Sequence, residues 1–228
     1  RCSRGEDVTW VINKNVVNNL YYKNLAHKNE EYAGKVVFSD SCKNGICNKK
    51  FKDISISKGN NDSVLTPLAV INFHTHPFSC YERENVKWGW PSGEDMRECI
   101  NFAKSGNLVH LVFSKEGTYV IKVLSTKELT PKVINFIEKT LIHTHEYRSN
   151  DTKIKYKKHF HKYLLDPIGI QEGTNSLQQW LAFVNELCPD NLRILSGGHL
   201  PIKGHKKLFE ITLIKKTNDI SFKQSYVQ

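Results

Sequence analysis

The stretch His74-Thr75-His76-Pro77 places two imidazoles two residues apart, and Ser92-Gly93-Glu94-Asp95 places a hydroxyl three residues before a carboxylate. Imidazole nitrogens and a carboxylate oxygen are donors that zinc takes in catalytic sites, where three protein ligands leave a fourth position open; a structural site would fill it. Whether His74 and His76 can share one ion depends on the backbone beneath them. The apolar run Leu68-Ala69-Val70-Ile71-Asn72-Phe73 leads into them and reads as a buried strand from Leu68 to His76. On a strand, residues i and i+2 face the same way, so both rings can reach one metal ion. Asp95 is then the third ligand, brought back by the turn after Pro91.

Ser92 followed three residues later by an acid is also a capping box opening a helix. Residues 92–105 read as that helix, with Met96, Cys99, Ile100 and Ala103 spaced for one buried face. The two uses are compatible, since a cap and a metal ligand can both sit where a helix begins.

HTHP followed by PSGED resembles the metal motif of the JAMM (MPN-plus) metalloproteases, whose pattern is a Glu, then HxHP, then SxxD. The upstream Glu of that family usually stands as E-x-x-G at the start of a strand. Glu31-Tyr32-Ala33-Gly34 fits, with Val36-Val37-Phe38 after it, while Glu30 is the competing candidate without the two-residue gap to Gly34. The resemblance covers roughly residues 10–125 and rests on four elements in the same order. It implies an α/β, MPN-like (cytidine-deaminase-like) mixed sheet flanked by helices. It also implies zinc held by His74, His76 and Asp95, with Glu31 as general base and Ser92 as donor to the oxyanion. The implied substrates are amide bonds, chiefly isopeptide bonds of ubiquitin or ubiquitin-like conjugates. Alternatives are an ordinary metallopeptidase of the same type, and an MPN-domain scaffold or virion-associated structural protein. Scaffold members usually lose ligands, whereas this sequence keeps all of them.

One departure from the family pattern is large. Phe78 through Trp90, thirteen residues, separate HTHP from Pro91 where the family has a short spacer. Phe78, Tyr81 and Trp88 are candidate substrate contacts on this rim, or else anchors of a long loop. Trp90, next to Pro91, is the better anchor candidate.

Net charge is +10 over 228 residues, with 17 basic and 13 acidic side chains in residues 1–125 and 16 and 10 in 126–228. The excess is spread without a dense basic tail, so a lysine-rich solvated surface explains it better than a nucleic-acid partner. No apolar run of membrane-spanning length occurs, so no membrane partner is expected. The start, Arg1 to Asp7, lacks Met and the apolar core of a signal peptide, and reads as a processed or trimmed product. Six cysteines are too few for a disulfide framework; unreacted thiols in a reducing compartment are expected, although Cys42 and Cys47 are close enough to bridge or to hold a metal. Lys, Asn and Ile are abundant while Ala occurs five times, a skew that AT-rich coding produces. With the long spacer, it makes the chain similar to JAMM-type proteins of large DNA viruses, which implies a location in host cytoplasm or virion.

The organisation reads as a catalytic domain over 1–125 and a mainly helical α+β extension over 126–228, the latter a candidate partner surface. A strand or short helix is expected near Val8–Ile12, then a mostly helical stretch through Leu20 and Leu25; strands are expected over 32–40 and at Phe51–Ile56, with residues 41–50, centred on Asn44-Gly45, as a turn. A further hairpin is expected from Leu108–Phe113 to Thr118–Val123 across Glu116-Gly117. Pro131 opens a helix to about 145; others are expected over 152–165, rich in Lys, and from Ser176 to a stop at Pro189. A strand at Leu208–Ile214 follows the Gly197-Gly198 turn.

Other histidines stay outside the candidate site. His143-Thr144-His145 and His159-Phe160-His161 repeat the HxH spelling on expected helices, where i and i+2 point apart. His110, in a buried strand, reads as a satisfied core residue, and His199 and His205 flank a loop. Lys153 to Lys158 reads as a solvated helix face.

Overall fold

The computed structural model describes residues 8–44, 46–144, 148 and 176–224. The described strands are β1 (Val8–Ile12), β2 (Tyr32–Lys43), β3 (Ile46–Lys58), β4 (Ile71–Thr75), β5 (Val109–Phe113), β6 (Thr118–Val123), β7 (Phe209–Ile214) and β8 (Ile220–Gln224). The described helices are α1 (Lys14–Val16), continued as a π-helical turn over Val17–Tyr22, then α2 (Phe78–Arg83), α3 (Gly93–Lys104) and α4 (Pro131–Ile142). Two more, α5 (Ser176–Glu186) and α6 (Pro189–Leu195), precede β7. The eight strands form one sheet in the order β7-β6-β5-β4-β2-β3-β1-β8. The sheet is mixed: β4 runs parallel to β5 and β1 to β3, and the other neighbours are antiparallel. This is an α/β architecture whose sheet draws strands from both sides of residue 125.

Helices cover both faces of the central strands, which explains why β4 and β5 are buried at every position. Alternate residues feed separate cores. Ile71, Phe73, Val109, Leu111 and Phe113 pack with Val17, Tyr21 and Leu25 beside the π-helical turn. Val112, Tyr119 and Ile121 pack on the opposite face with Met96, Ile100, Ile137 and Trp180. Each such large side chain contributes about 1.5–3 kcal/mol by leaving water. The second face of β4 also carries Asn72 and His74, both buried, so polar chemistry sits inside an otherwise apolar layer.

α3 begins as its capping box dictates. Ser92 Oγ accepts from the Asp95 backbone N–H at 3.0 Å, and Asp95 Oδ2 accepts from the Ser92 N–H at 2.7 Å. Its buried face comprises Gly93, Met96, Cys99 and Ile100. Gly93 touches α4 so closely that a Cβ there would lie 2.5 Å from the Glu138 carbonyl oxygen.

Several expectations need correction. The strand expected from Leu68 starts at Ile71, because the β4–β5 ladder begins with Ile71 opposite Val109. Leu68 and Val70 are accordingly exposed. Cys42 and Cys47, expected as free thiols, form a disulfide. The strands run on into the turn expected over 41–50, β2 to Lys43 and β3 from Ile46, and their register sets the two cysteines directly opposite. Pro189 opens α6 rather than only ending α5, since the first helical turn needs no proline N–H. β8 was not expected; Ile220 and Phe222 are its buried side chains. The helix expected over 152–165 lies outside the described residues.

Candidate metal centre

His74 and His76 project from the end of β4 toward the amino end of α3, where Asp95 occupies the third position after the cap. Their Nε2 atoms are 3.1 Å apart. Asp95 Oδ1 is 3.3 Å from His74 Nε2, and Oδ2 is 3.4 Å from His76 Nε2. A tetrahedral zinc with bonds of about 2.0–2.1 Å requires ligand–ligand edges of roughly 3.3–3.4 Å. The three side chains therefore already outline one face of such a tetrahedron, and could hold a metal ion together.

The hydrogen-bond pattern behind the rings fixes where their lone pairs point. Asn72 Nδ2 donates to the Pro67 carbonyl at 2.9 Å, which turns Asn72 Oδ1 toward His110. His110 Nδ1 must donate to that oxygen, at 2.8 Å. Burial, reinforced by the neighbouring His74, holds His110 well below the ordinary histidine range, so its Nε2 keeps a lone pair. That lone pair accepts from His74 Nδ1 at 2.8 Å. His76 Nδ1 donates to the Gly89 carbonyl at 2.7 Å. In the neutral rings both Nε2 lone pairs consequently face each other and the Asp95 carboxylate. Three acceptors around one point call for a cation, either a metal ion or a proton.

The electrostatics of the metal-free cluster agree. Burial opposes a charge on His76, but its contacts with Asp95, with help from Glu31 and the Gly89 carbonyl, push it up to about 9. Burial likewise opposes the Asp95 charge, and His74 and His76 overcome it, holding the carboxyl well below its ordinary value.

Glu31 lies on the same cleft, while Glu30 points elsewhere and pairs with Lys58 at 3.0 Å. Backbone pairing explains the difference. Glu31 N donates to the Asn60 carbonyl and Glu31 O accepts from Gly59 N, both at 2.8 Å. The next residue, Tyr32, donates its N–H to Thr75 Oγ1 at 3.0 Å, between the two metal-side histidines. Burial raises the Glu31 carboxyl, and His74 and His76 partly offset this. Ser92 also lines the cleft, and its hydroxyl hydrogen is not used in the capping bond.

The cleft encloses about 770 Å³ and has Asp62, Leu65 and Arg97 on its walls. Of the three rim aromatics, Tyr81 lines it, but its hydroxyl donates to Glu116 at 2.5 Å. Phe78 packs on His27, with ring centroids 4.8 Å apart, and under the Lys216 ammonium. Trp88 packs against the core that contains α5. Neither Phe78 nor Trp88 lines the cleft. Trp90 is fully buried and stacks on Trp180 of α5 at 5.4 Å.

Among the other histidines, His143 is the exposed C-cap residue of α4, and His205 pairs with Asp190 at 3.0 Å. His145, His159, His161 and the Lys153–Lys158 stretch lie outside the described residues. His110 is the residue that reading along the chain undervalued. Its signal was available as a buried histidine opposite a buried asparagine, because the parallel register pairs Asn72 with His110.

No protein-family model matches the sequence, and no solved structure matches it. The chain is similar to the uncharacterized protein 3R of Frog virus 3 (isolate Goorha), with 37% identity over 93 residues. The match takes in 40% of this chain and 20% of that protein, so the chain spans about a fifth of its relative's length.

Proposed function

We propose that the chain is a zinc-dependent hydrolase of amide bonds, similar to the JAMM (MPN-plus) metalloproteases and acting on isopeptide bonds of ubiquitin or a ubiquitin-like protein. The observation that carries this reading is the convergence of the His74, His76 and Asp95 acceptors at tetrahedral-edge spacing, on the cleft that Glu31 also lines. Two imidazoles and a carboxylate suit zinc. Zinc bound there would supply Lewis acidity toward water and a substrate carbonyl. Glu31 takes the proton of the attacking water and delivers it to the leaving amine; burial raises its carboxyl above the ordinary range, which favours taking up that proton. Ser92 donates its hydroxyl hydrogen to the carbonyl oxygen as that carbon becomes tetrahedral, a contribution worth about 3 kcal/mol in other enzymes.

The same reading takes the fold as MPN-like, residues 1–125 as the catalytic part and 126–228 as a partner surface. The viral relative supports an origin among proteins of large DNA viruses, acting in host cytoplasm or virion. Among the described residues no helix is long and apolar enough to cross a membrane. The test is metal analysis of the purified protein together with cleavage of a ubiquitin dimer and a peptide panel, for wild type and His76→Ala. Near one zinc per chain and dimer cleavage, both lost in the variant, are expected. Cleavage of peptides alone would assign an ordinary peptidase; wild type without zinc would reject the proposal, and zinc without cleavage would favour a scaffold.

A further inference from the structure

We infer that Glu116 is a positioning residue for the metal centre, acting through the Gly89 peptide that holds the His76 ring. The inference rests on the reading of His76 as a metal ligand. Gly89 is bonded on both sides: its carbonyl oxygen accepts from His76 Nδ1 at 2.7 Å, and its own N–H donates to Glu116 Oε1 at 2.7 Å. Glu116 accepts two further bonds, from the hydroxyls of Tyr81 and Tyr119. Burial, reinforced by the Glu116 charge, holds both phenols well above their ordinary range, so both remain donors. A carboxylate gathering three donors makes charge-assisted bonds and fixes the atoms around it.

This arrangement assigns a task to the thirteen-residue spacer. The spacer starts with Phe78 N donating to the Ala26 carbonyl and ends with Trp90 locked on Trp180. Between these points, Tyr81 and Gly89 are drawn to the same carboxylate. A Cβ at 89 would lie 2.1 Å from the Tyr81 hydroxyl oxygen, so a larger residue there would displace Tyr81 from its bond to Glu116. Glu116 is itself fixed on the β5–β6 turn, where Ser114 N donates to the Gly117 carbonyl at 2.9 Å. The strand leading into that turn also takes the His76 backbone, whose N–H donates to the Phe113 carbonyl at 2.8 Å. His76 is thereby tied to one hairpin twice, by its backbone directly and by its ring through Gly89 and Glu116. The outer hydrogen-bond partner of a metal-binding imidazole sets ring orientation and basicity.

The experiment is a zinc competition titration against a chromophoric chelator, on the full chain, with folding followed by circular dichroism. Glu116→Ala is expected to weaken zinc about tenfold, the lower end of the usual effect of such partners. Glu116→Gln keeps the size and an acceptor for Gly89 N but sets an amide donor against a tyrosine hydroxyl; an intermediate, severalfold loss is expected. Tyr119→Phe removes one donor to Glu116 Oε1 but leaves the bond from Gly89 N to that oxygen in place, and zinc affinity is expected to stay within about twofold of wild type. Cobalt substitution adds a second readout: the visible absorption bands should shift in Glu116→Ala and not in Tyr119→Phe. Wild-type affinity in Glu116→Gln, or an equal loss in Tyr119→Phe, overturns the inference, and if the alanine variant does not fold the glutamine result decides. A wild-type protein that binds no zinc would instead remove the reading beneath it.

Discussion

His110 Nε2 lies 2.8 Å from His74 Nδ1, and the pair is closed off by Asn72, so a buried strand residue determines which nitrogen of His74 faces the candidate metal. Replacing His110 with Ala removes the acceptor and leaves His74 Nδ1 facing a cavity. Zinc affinity should fall by about 10–100-fold, with stoichiometry near one still reached at high zinc. A competition titration checks this. Unchanged affinity would mean that His74 is held by packing alone.

Metal uptake should displace a proton. His76 sits at about 9 in the metal-free cluster, so at pH 7 it carries a proton that zinc must replace. Zinc affinity should therefore rise as pH increases from 6 toward 9. Calorimetry at pH 7 in two buffers of different ionisation enthalpy should give release near one proton per zinc, and zero release contradicts the assignment.

The same groups set the acid and base limits of the metal-free fold. The folded pKa of His76 is raised above its ordinary 6.5, so its stabilisation is complete below about 6.5 and is lost as pH rises through about 9. Asp95 is depressed, so its contribution is present above its ordinary 3.8 and is lost as pH falls through its folded value. Chemical denaturation from pH 3 to 10 without metal should show the loss toward base and the onset of the loss toward acid, and His76→Ala should flatten the upper edge.

Glu31 and Glu30 provide an internal control. Glu31→Gln should abolish turnover of the proposed substrate while zinc stoichiometry stays near one. Glu30→Gln loses only an exposed pairing with Lys58 and should behave as wild type in both assays. Equal turnover in the two variants assigns the base elsewhere.

Ser92→Ala separates the helix cap from the metal. The alanine loses the acceptor for Asp95 N, but its backbone N–H can still donate to Asp95 Oδ2. Stability should fall by about 1 kcal/mol, a shift in Tm of about 2–4 °C. Zinc should still bind at a stoichiometry near one, and a variant that binds none would show that the cap hydroxyl, and not the backbone, aims Asp95.

Much of the candidate site was legible because its signals are local. The apolar lead-in to His74 marks a strand, strand alternation puts His76 on the same face, and Ser92 with Asp95 announces where α3 begins. What escaped reading depends on register between distant segments. His110 looks like a core histidine until β5 is laid beside β4, which sets it opposite Asn72. Cys42 and Cys47 look like separate thiols until the β2–β3 hairpin aligns them. Glu116 reads as a turn residue, since nothing near it in sequence announces Gly89. Phe78 and Trp88 were placed on the rim by their proximity along the chain to the metal motif, yet packing against His27 and the α5 core takes them off the cleft.

β7 and β8 border opposite sides of the sheet, beside β6 and β1. During synthesis on the ribosome, a nascent chain halted at residue 144 would carry every candidate ligand of the ion but would leave both outer strands with unmet backbone donors and acceptors. Trp90 would also lack the indole of Trp180 beneath it. Arrival of residues 176–224 is thus the event that seals the platform on which the two metal-side imidazoles stand.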